Sequence, residues 1–283
     1  MRVAIIGSSG YWGQKLDRVA QKLGWYIERY GRANISALSD TDADAAIIAT
    51  PPDTHFGLAK RCLRLGMDLF IEKPMCLQSD QVYELMQLAQ KHGAVIFVDS
   101  TFLYTESFHA LRRLDTPIIS YQSQRLMPPL PSSIINAGWD MIWHDLAILD
   151  GLDALIVGEG MGAVDSSMAT AALPTADGSA FIMASRCWPG KIREIVIHAV
   201  SGVYSWNLAG VREINSNNYL AKESMETLES ALTQFEICCK DRILAHMTDA
   251  KHALRVTKAL EHLFPRISAA QEPCFNLKKS LAN

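Results

Sequence analysis

Residues 45–74 read A-A-I-I-A-T-P-P-D-T-H-F-G-L-A-K-R-C-L-R-L-G-M-D-L-F-I-E-K-P, and this stretch constrains the fold more than any other. Two short apolar runs each end in a proline-marked turn, with an amphipathic helix pattern between them. That is the pattern of a βαβ unit in a parallel sheet, where ligands gather at the carboxyl ends of the strands. Thr50-Pro51 closes the first run and Glu72-Lys73-Pro74 the second. A lysine at a strand's carboxyl end, braced by a proline, is placed to meet a cofactor and a substrate together.

A glycine-rich turn points to the kind of cofactor. The apolar run V-A-I-I-G at residues 3–7 leads into Gly7-Ser8-Ser9-Gly10-Tyr11-Trp12-Gly13 and then a helix to about residue 23. Glycines in such a place allow a tight turn, close approach of a pyrophosphate, and close helix–strand packing. The helix start adds free N–H groups and a positive dipole end. Gly7, Ser9, Gly10, Tyr11, Trp12 and Gly13 are therefore candidate dinucleotide contacts, together with Thr50, Pro51, His55, Glu72 and Lys73 from the βαβ unit. The spacing is G-x-x-G-x-x-G rather than the usual G-x-G-x-x-G, and an ordinary structural turn can share it. His55 can face the cofactor or cap its helix.

Alternation of strand and helix continues through the first hundred residues. Strands are expected at 3–7, 25–30, 45–49, 69–72 and 95–99, and helices at 11–23, 55–65 and 79–92. This is an α/β doubly wound sheet. The stretch between Gly13 and Thr50 is short, so residues 31–44 are expected to cross over as loop or a single helical turn. After residue 102 the pattern changes to successive strands, at 118–125, 161–173, 180–187, 192–199 and 203–208. Helices fit 134–152, 224–240 and 248–264. Strands in succession imply a mainly antiparallel sheet flanked by helices, hence an α+β second domain. The expected division is 1–101 and 102–283. Residues 127–131, M-P-P-L-P, form a stiff loop ahead of the 134–152 helix.

Bulk properties exclude several classes. The 283 residues are 49% hydrophobic, enough for a substantial core, and the net charge of −3 includes no long basic run. Nucleic-acid binding through phosphate neutralisation is not expected. No apolar stretch approaches a membrane span. Met1-Arg2-Val3 runs straight into a strand with no targeting segment, so a cytoplasmic location is expected. The six cysteines, Cys62, Cys76, Cys187, Cys238, Cys239 and Cys274, show no C-x-x-C spacing, and reduced, packed thiols are the natural reading. No metal site is expected.

Asp140 and His144 lie four apart in W-D-M-I-W-H-D, residues 139–145, and share one face of a helix. Oxidising a secondary alcohol by hydride transfer leaves a hydroxyl proton to remove, and the reverse reaction must deliver one. Histidine, with an ordinary pKa of about 6.5, serves both directions. A nearby carboxylate can orient it. A surface Asp–His pair gives the same spacing, and Trp139 and Trp143 can stack on a sugar ring or fill a core. Lys73 can stabilise alkoxide charge. It can equally be a solvated turn lysine.

Together these residues resemble the Gfo/Idh/MocA oxidoreductase family over nearly the whole chain. Residues 45–74 resemble its strand ending in T-P, helix opening with His, and strand ending in E-K-P. Asp140 and His144 match its D-x-x-x-H helix. Three stretches resemble a sugar- and sugar-nucleotide-linked branch: V-D-S-T-F-L-Y at 98–104 against V-D-H-T-F-x-Y, residues 139–149 against W-D-L-A-P-H-D-L-S-I-L, and W-P-G-K-I-R at 188–193 against W-L-x-P-x-K-x-R. The resemblance implies a Rossmann domain, a second domain on an open antiparallel sheet, and hydride transfer with a nicotinamide cofactor. It implies Lys73 and His144 as the catalytic pair, Asp140 in support, and a cis bond before Pro74. The chain departs from the family in its shortened 13–50 segment, Ser9 for a glycine, Ser100 for a histidine and Trp143 for a proline.

The expected activity is NAD(P)-dependent oxidation or reduction at a hydroxyl or keto carbon of a sugar or nucleotide-linked sugar. A non-sugar ketone or imine, or a silent cofactor-binding sensor, are the rivals. Tyr104, Arg125, Trp139, Trp143 and Lys191 are candidate substrate contacts, and Arg193 is a further candidate for a phosphate. The second strand ends E-R-Y-G-R at 28–32 with no terminal acid, so Arg32, and less so Arg29, favours NADP. A homodimer or homotetramer is expected through the second sheet. Its strands read as apolar on both faces, through Phe181, Ile182, Met183, Ile195, Val196, Ile197, Val203, Tyr204 and Trp206.

Overall fold

The computed structural model describes residues 1–129, 134–207, 210–214, 219–222, 227–244 and 247–265. Cys274, the end of the 127–131 loop and the C-terminal tail lie outside the described residues. The chain divides into two units. One is Met1–Thr105 with Ser224–Thr257, and the other is Glu106–Glu223 with Lys258–Asn283.

The first unit is a five-stranded parallel sheet, ordered β2-β1-β3-β4-β5. Its strands are β1 (Arg2–Ile6), β2 (Tyr26–Tyr30), β3 (Ala45–Ile48), β4 (Asp68–Ile71) and β5 (Ile96–Val98). The fully buried runs of β3 and β4 are what a sheet covered on both faces demands. Helix α1 (Tyr11–Lys22) joins β1 to β2, while β2 reaches β3 through one short 3-10 stretch, Ile35–Asp40. Helices α2 (Pro52–Arg64) and α3 (Ser79–His92) pack together and bury Ala59, Cys62, Leu63, Val82 and Leu85.

The late helix α6 (Thr227–Asp241) also belongs to this unit. Its Ala231, Leu232, Phe235 and Cys238 share a core with Leu16 and Ala20 of α1 and with Val3, Ile5, Ile47, Phe70 and Phe97 of the sheet. Arg242 pairs with the buried Asp68 at 2.8 Å and Trp25 Nε1 donates to Glu236 at 3.3 Å, fixing the helix to the sheet. Helical periodicity had placed 224–240 against the second sheet. The core assigns it to the first, where an aromatic group of Phe70, Phe97, Tyr104 and Phe235 closes over it.

The second unit carries an eight-stranded sheet, ordered β13-β12-β11-β10-β6-β9-β8-β7. Its strands are β6 (Ile118–Leu126), β7 (Met161–Val164), β8 (Met168–Pro174), β9 (Ser179–Ser185), β10 (Ile192–Ala199), β11 (Gly202–Asn207), β12 (Gly210–Glu213) and β13 (Tyr219–Lys222). All neighbours are antiparallel except β6 and β9, which are parallel, so the sheet is mixed. The expected 161–173 strand is a hairpin of two, and part of the expected 209–220 loop supplies β12 and β13. An unread helix, α4 (Glu106–Arg113), precedes β6.

The 134–152 helix is in two parts. A π-turn at Gly138–Ile142 runs into α5 (Trp143–Gly151). Every residue of α5 is buried except His144. Such a helix is hydrophobic all round because it is enclosed rather than amphipathic. The last helix, α7 (Ala250–Leu263), begins in the first unit and ends in the second.

Residues alternate in and out along the second sheet. Ala180, Ile182, Ile195, Ile197, Tyr121, Tyr204 and Trp206 are buried, while Gln122, Gln124, Phe181 and Glu194 face outward. The outer face is therefore mixed and not continuously apolar. Tyr204, 4% exposed, belongs to the core and not to an outer patch.

Candidate active site

The first unit gathers its candidates along the carboxyl edge of its sheet. Its strand order has its topological switch between β1 and β3, where ligands of doubly wound sheets bind. The turn after β1 sits there. Gly7 has φ +91°, and a Cβ on it would lie 2.5 Å from the Ala49 carbonyl oxygen of the neighbouring strand. A Cβ on Gly13 would lie 2.1 Å from the Gly7 oxygen. Both glycines are thus required by close backbone approach. Gly10 N donates to Gly7 O at 2.9 Å and caps α1 without a side chain. Ser9 and Gly10 are exposed beside the helix start, a backbone cradle of the kind that holds a pyrophosphate. Tyr11, 71% exposed, and Trp12 flank it, with Lys15 Nζ 4.3 and 4.5 Å from their ring centroids.

Arg32 is exposed just past β2. Arg29 is not available in the same way, because its guanidinium grips Asp17 at 2.6 and 2.9 Å. That contact holds the Asp17 carboxyl below its usual range, chiefly through the hydrogen bond.

His55 is fully buried, which overturns its reading as a cofactor contact. Its Nδ1 lies 2.9 Å from Pro74 O and its Nε2 2.8 Å from Thr50 O, where a neutral ring donates to one of them. Burial pushes its pKa down. The ring braces the turn after β3 against the turn after β4, and so supports Lys73, whose peptide bond to Pro74 is cis. Lys73 itself is half-buried. The Glu72 carboxyl, 7% exposed, is turned in toward Asp99, which takes it out of the expected cofactor contacts. Tyr104 is likewise committed within its unit. Its hydroxyl lies 2.8 Å from Thr248 Oγ1 and its ring stacks on Phe97, so it is not a substrate contact.

The second unit builds its candidates around α5. Asp145, fully buried, accepts hydrogen bonds from Tyr121 (2.9 Å), Ser123 (2.6 Å) and Arg125 (3.1 Å). These tie α5 to β6. Burial, reinforced by the Asp145 charge, pushes the Tyr121 hydroxyl pKa well up. Arg125, expected to meet a substrate phosphate, is spent in this buried pair. Trp139 is also interior, fully buried with Nε1 donating to Phe264 O at 3.0 Å, and is not a stacking surface. Trp143 is fully buried too, yet its Nε1 finds no acceptor among the described residues.

Asp140, in the π-turn, accepts from Arg186 Nη1 at 3.2 Å. Arg186 is 5% exposed, and its other nitrogens donate to Ser166 O and Ile135 O at 2.7 Å each. The Asp140 carboxyl is thereby anchored one turn before the half-buried His144. π-Turns are uncommon and concentrate at functional sites. Lys191 is exposed in the β9–β10 turn, and Arg193 Nη2 donates to Asn207 O at 3.3 Å. Reading the sequence missed Asp99, Asp145 and Arg186. Arg186 left one signal, as a lone charge closing the apolar run A-F-I-M-A-S.

A parallel sheet with a glycine cradle at its switch point, followed by a lysine turn, defines a nucleotide-binding oxidoreductase unit. Residues 14–100 match the Gfo/Idh/MocA oxidoreductase family model, described as an oxidoreductase family with an NAD-binding Rossmann fold. UDP-N-acetylglucosamine 3-dehydrogenase of Acidithiobacillus ferrooxidans is 29% identical over 211 residues, covering 66% of this chain and 67% of that one. Other curated relatives align over less than a third of their own length. The solved structure of UDP-N-acetylglucosamine 3-dehydrogenase GnnA from A. ferrooxidans matches with TM-score 0.80 at 21% identity, covering 93% of this chain and 96% of that one. GenD2 from gentamicin A biosynthesis, solved in complex with NAD, matches with TM-score 0.75 at 16% identity, covering 94% and 93%. Among the described residues no helix is long and apolar enough to cross a membrane.

Proposed function

We propose that this protein moves a hydride between a nicotinamide dinucleotide and a hydroxyl or keto carbon of a sugar, with a nucleotide-linked sugar as the favoured substrate. The observation that carries the reading is the carboxyl edge of the first sheet. There the Gly7–Gly13 cradle and the Lys73 turn stand on strands of one sheet, β1 and β4, and His55 ties the turn after β3, which lies between them, to the Lys73 turn. The glycines fit the dinucleotide because backbone, not side chain, lines the turn. When bound, the nicotinamide would carry the hydride.

The chain's own residues would do the rest. Gly7, Ser9, Gly10 and Gly13 hold the pyrophosphate. Arg32 meets a 2′-phosphate, which favours NADP over NAD. The Lys73 ammonium donates to the reacting oxygen and steadies negative charge on it. His144 takes or returns the hydroxyl proton, and Asp140, held by Arg186, fixes its orientation. Trp143 supports a substrate role by a different route than stacking. Its buried, acceptor-less N–H is costly as it stands, and a substrate oxygen would satisfy it. The test is turnover of NAD⁺ and NADP⁺ against UDP-N-acetylglucosamine, free hexoses, inositols and simple ketones. Reduction of cofactor with a sugar supports the reading, and activity confined to non-sugar ketones overturns the sugar assignment.

Self-association through the outer face of the second sheet belongs to the same proposal. Phe181 is 55% exposed on that face, next to Met183 and Val196. Light scattering should give about twice the 31.3 kDa of one chain, or four times, and Phe181→Arg should return it to the single-chain mass. A wild-type mass of one chain removes the proposal.

A further inference from the structure

The catalytic reading leaves two buried acids of the first unit without a task. Glu72 follows β4 and Asp99 follows β5, one step beyond the Ile71–Val98 register pair, so they stand side by side on neighbouring parallel strands. Glu72 is 7% exposed and Asp99 4%. On these neighbouring register positions, the buried Glu72 Oε1 and Asp99 Oδ1 each find no hydrogen-bond donor among the described residues. Two carboxylates cannot hydrogen-bond without a proton between them, and like charges this close in the interior do not both ionise. The titratable groups around them are Lys73 from the adjoining turn, Tyr104, and His252 of α7, whose Nε2 lies 3.1 Å from Ser100 Oγ.

We propose that Glu72 and Asp99 are a positioning pair for Lys73: the two carboxyls share one proton, and the single negative charge they keep holds the Lys73 ammonium in place at the carboxyl edge of the sheet. Removing both charges would take away the negative charge that attracts the Lys73 ammonium, and keeping two would bury a second charge beside the first. One shared proton avoids both costs. Burial raises both groups, Asp99 to about 6 and Glu72 well above the carboxylate range, and Lys73 is the charge that opposes the rise in each. The inference rests on the reading of Lys73 as the group that meets the substrate oxygen.

Two measurements test the pair without any substrate, so their failure is separate from failure of the catalytic reading. The first is acetylation of Lys73 by acetic anhydride at neutral pH, followed by mass spectrometry in the full-length protein. Glu72→Gln and Asp99→Asn each leave one carboxyl to carry the charge, so each should react within about twofold of wild type. The double variant should react about tenfold faster, the scale of one lost charge at close range. Stepwise acceleration in the single variants would mean two charges, and no acceleration in the double variant would mean no coupling to Lys73. Either overturns the pair. The second measurement is the infrared carbonyl stretch of a buried protonated acid, expected in wild type at neutral pH and absent in either single variant. It decides the matter even where the double variant fails to fold. A wild type lacking the band contradicts the shared proton.

Discussion

The carboxyl edge of the first sheet and the helix α5 of the second unit both hold candidate chemistry, but they are built differently. The first is defined by backbone. Gly7 and Gly13 are needed because main chain passes within the reach of a Cβ, and His55 binds carbonyl oxygens of two turns. The second is defined by side-chain pairs drawn from distant strands. Arg125 of β6 holds Asp145, and Arg186 at the end of β9 holds Asp140. A backbone site should break locally, with loss of cofactor. A site made of buried ion pairs should break through stability and orientation.

The largest effect is expected at the half-buried histidine. His144→Asn should lower turnover by about 10²–10⁴-fold, the usual range for a positioned acid–base group, with cofactor affinity unchanged. Steady-state kinetics beside a fluorescence titration of NADPH check both halves. Arg125→Met comes next. It leaves Asp145 buried and uncompensated, at a cost of about 3–5 kcal/mol in chemical denaturation. Cofactor affinity should again be preserved, since the damage lies in the other unit. An Arg125→Met variant with wild-type stability would mean that the pair does not hold α5.

How much of this the sequence disclosed follows the same division. The glycine turn, the T-P and E-K-P turns and the short crossover were legible because each is written in consecutive residues whose backbone needs are specific. The 3-10 stretch at Ile35–Asp40 stands where loop or one helical turn was expected. Arg125–Asp145 and Arg186–Asp140 were not legible, being pairs 20 and 46 positions apart. Periodicity identified the helix at 224–240, but its place in the chain set it against the second sheet, because nothing in consecutive residues shows that Phe235 packs on Phe70 and Phe97. Strands β12 and β13 are short, lack a clean apolar alternation, and read as loop. Trp139 and Tyr104 misled because an aromatic in a motif resembles a binding surface until its hydrogen bond to Phe264 or Thr248 is seen.

Two smaller effects sharpen the backbone side of the comparison. Gly13→Ala forces a Cβ to 2.1 Å from a backbone oxygen that cannot swing away. It should cost about 1–3 kcal/mol of stability and abolish measurable cofactor binding, by calorimetric titration of the nucleotide. Arg32→Ala should weaken NADPH about tenfold, the low end for an exposed charge-assisted contact, and leave NADH unchanged. Equal affinities for the two nucleotides in wild type, unmoved by the substitution, would remove the NADP preference.

The central claim is that a hydride passes between a sugar carbon and a nicotinamide on this protein. Sugars and nucleotide sugars deuterated at the carbon bearing each hydroxyl, incubated with wild type and oxidised cofactor, test it directly. Mass spectrometry of the reduced cofactor should find deuterium from one ring position of one substrate class, at a rate that collapses in His144→Asn. Reduced cofactor that never carries deuterium from any labelled sugar would contradict the account.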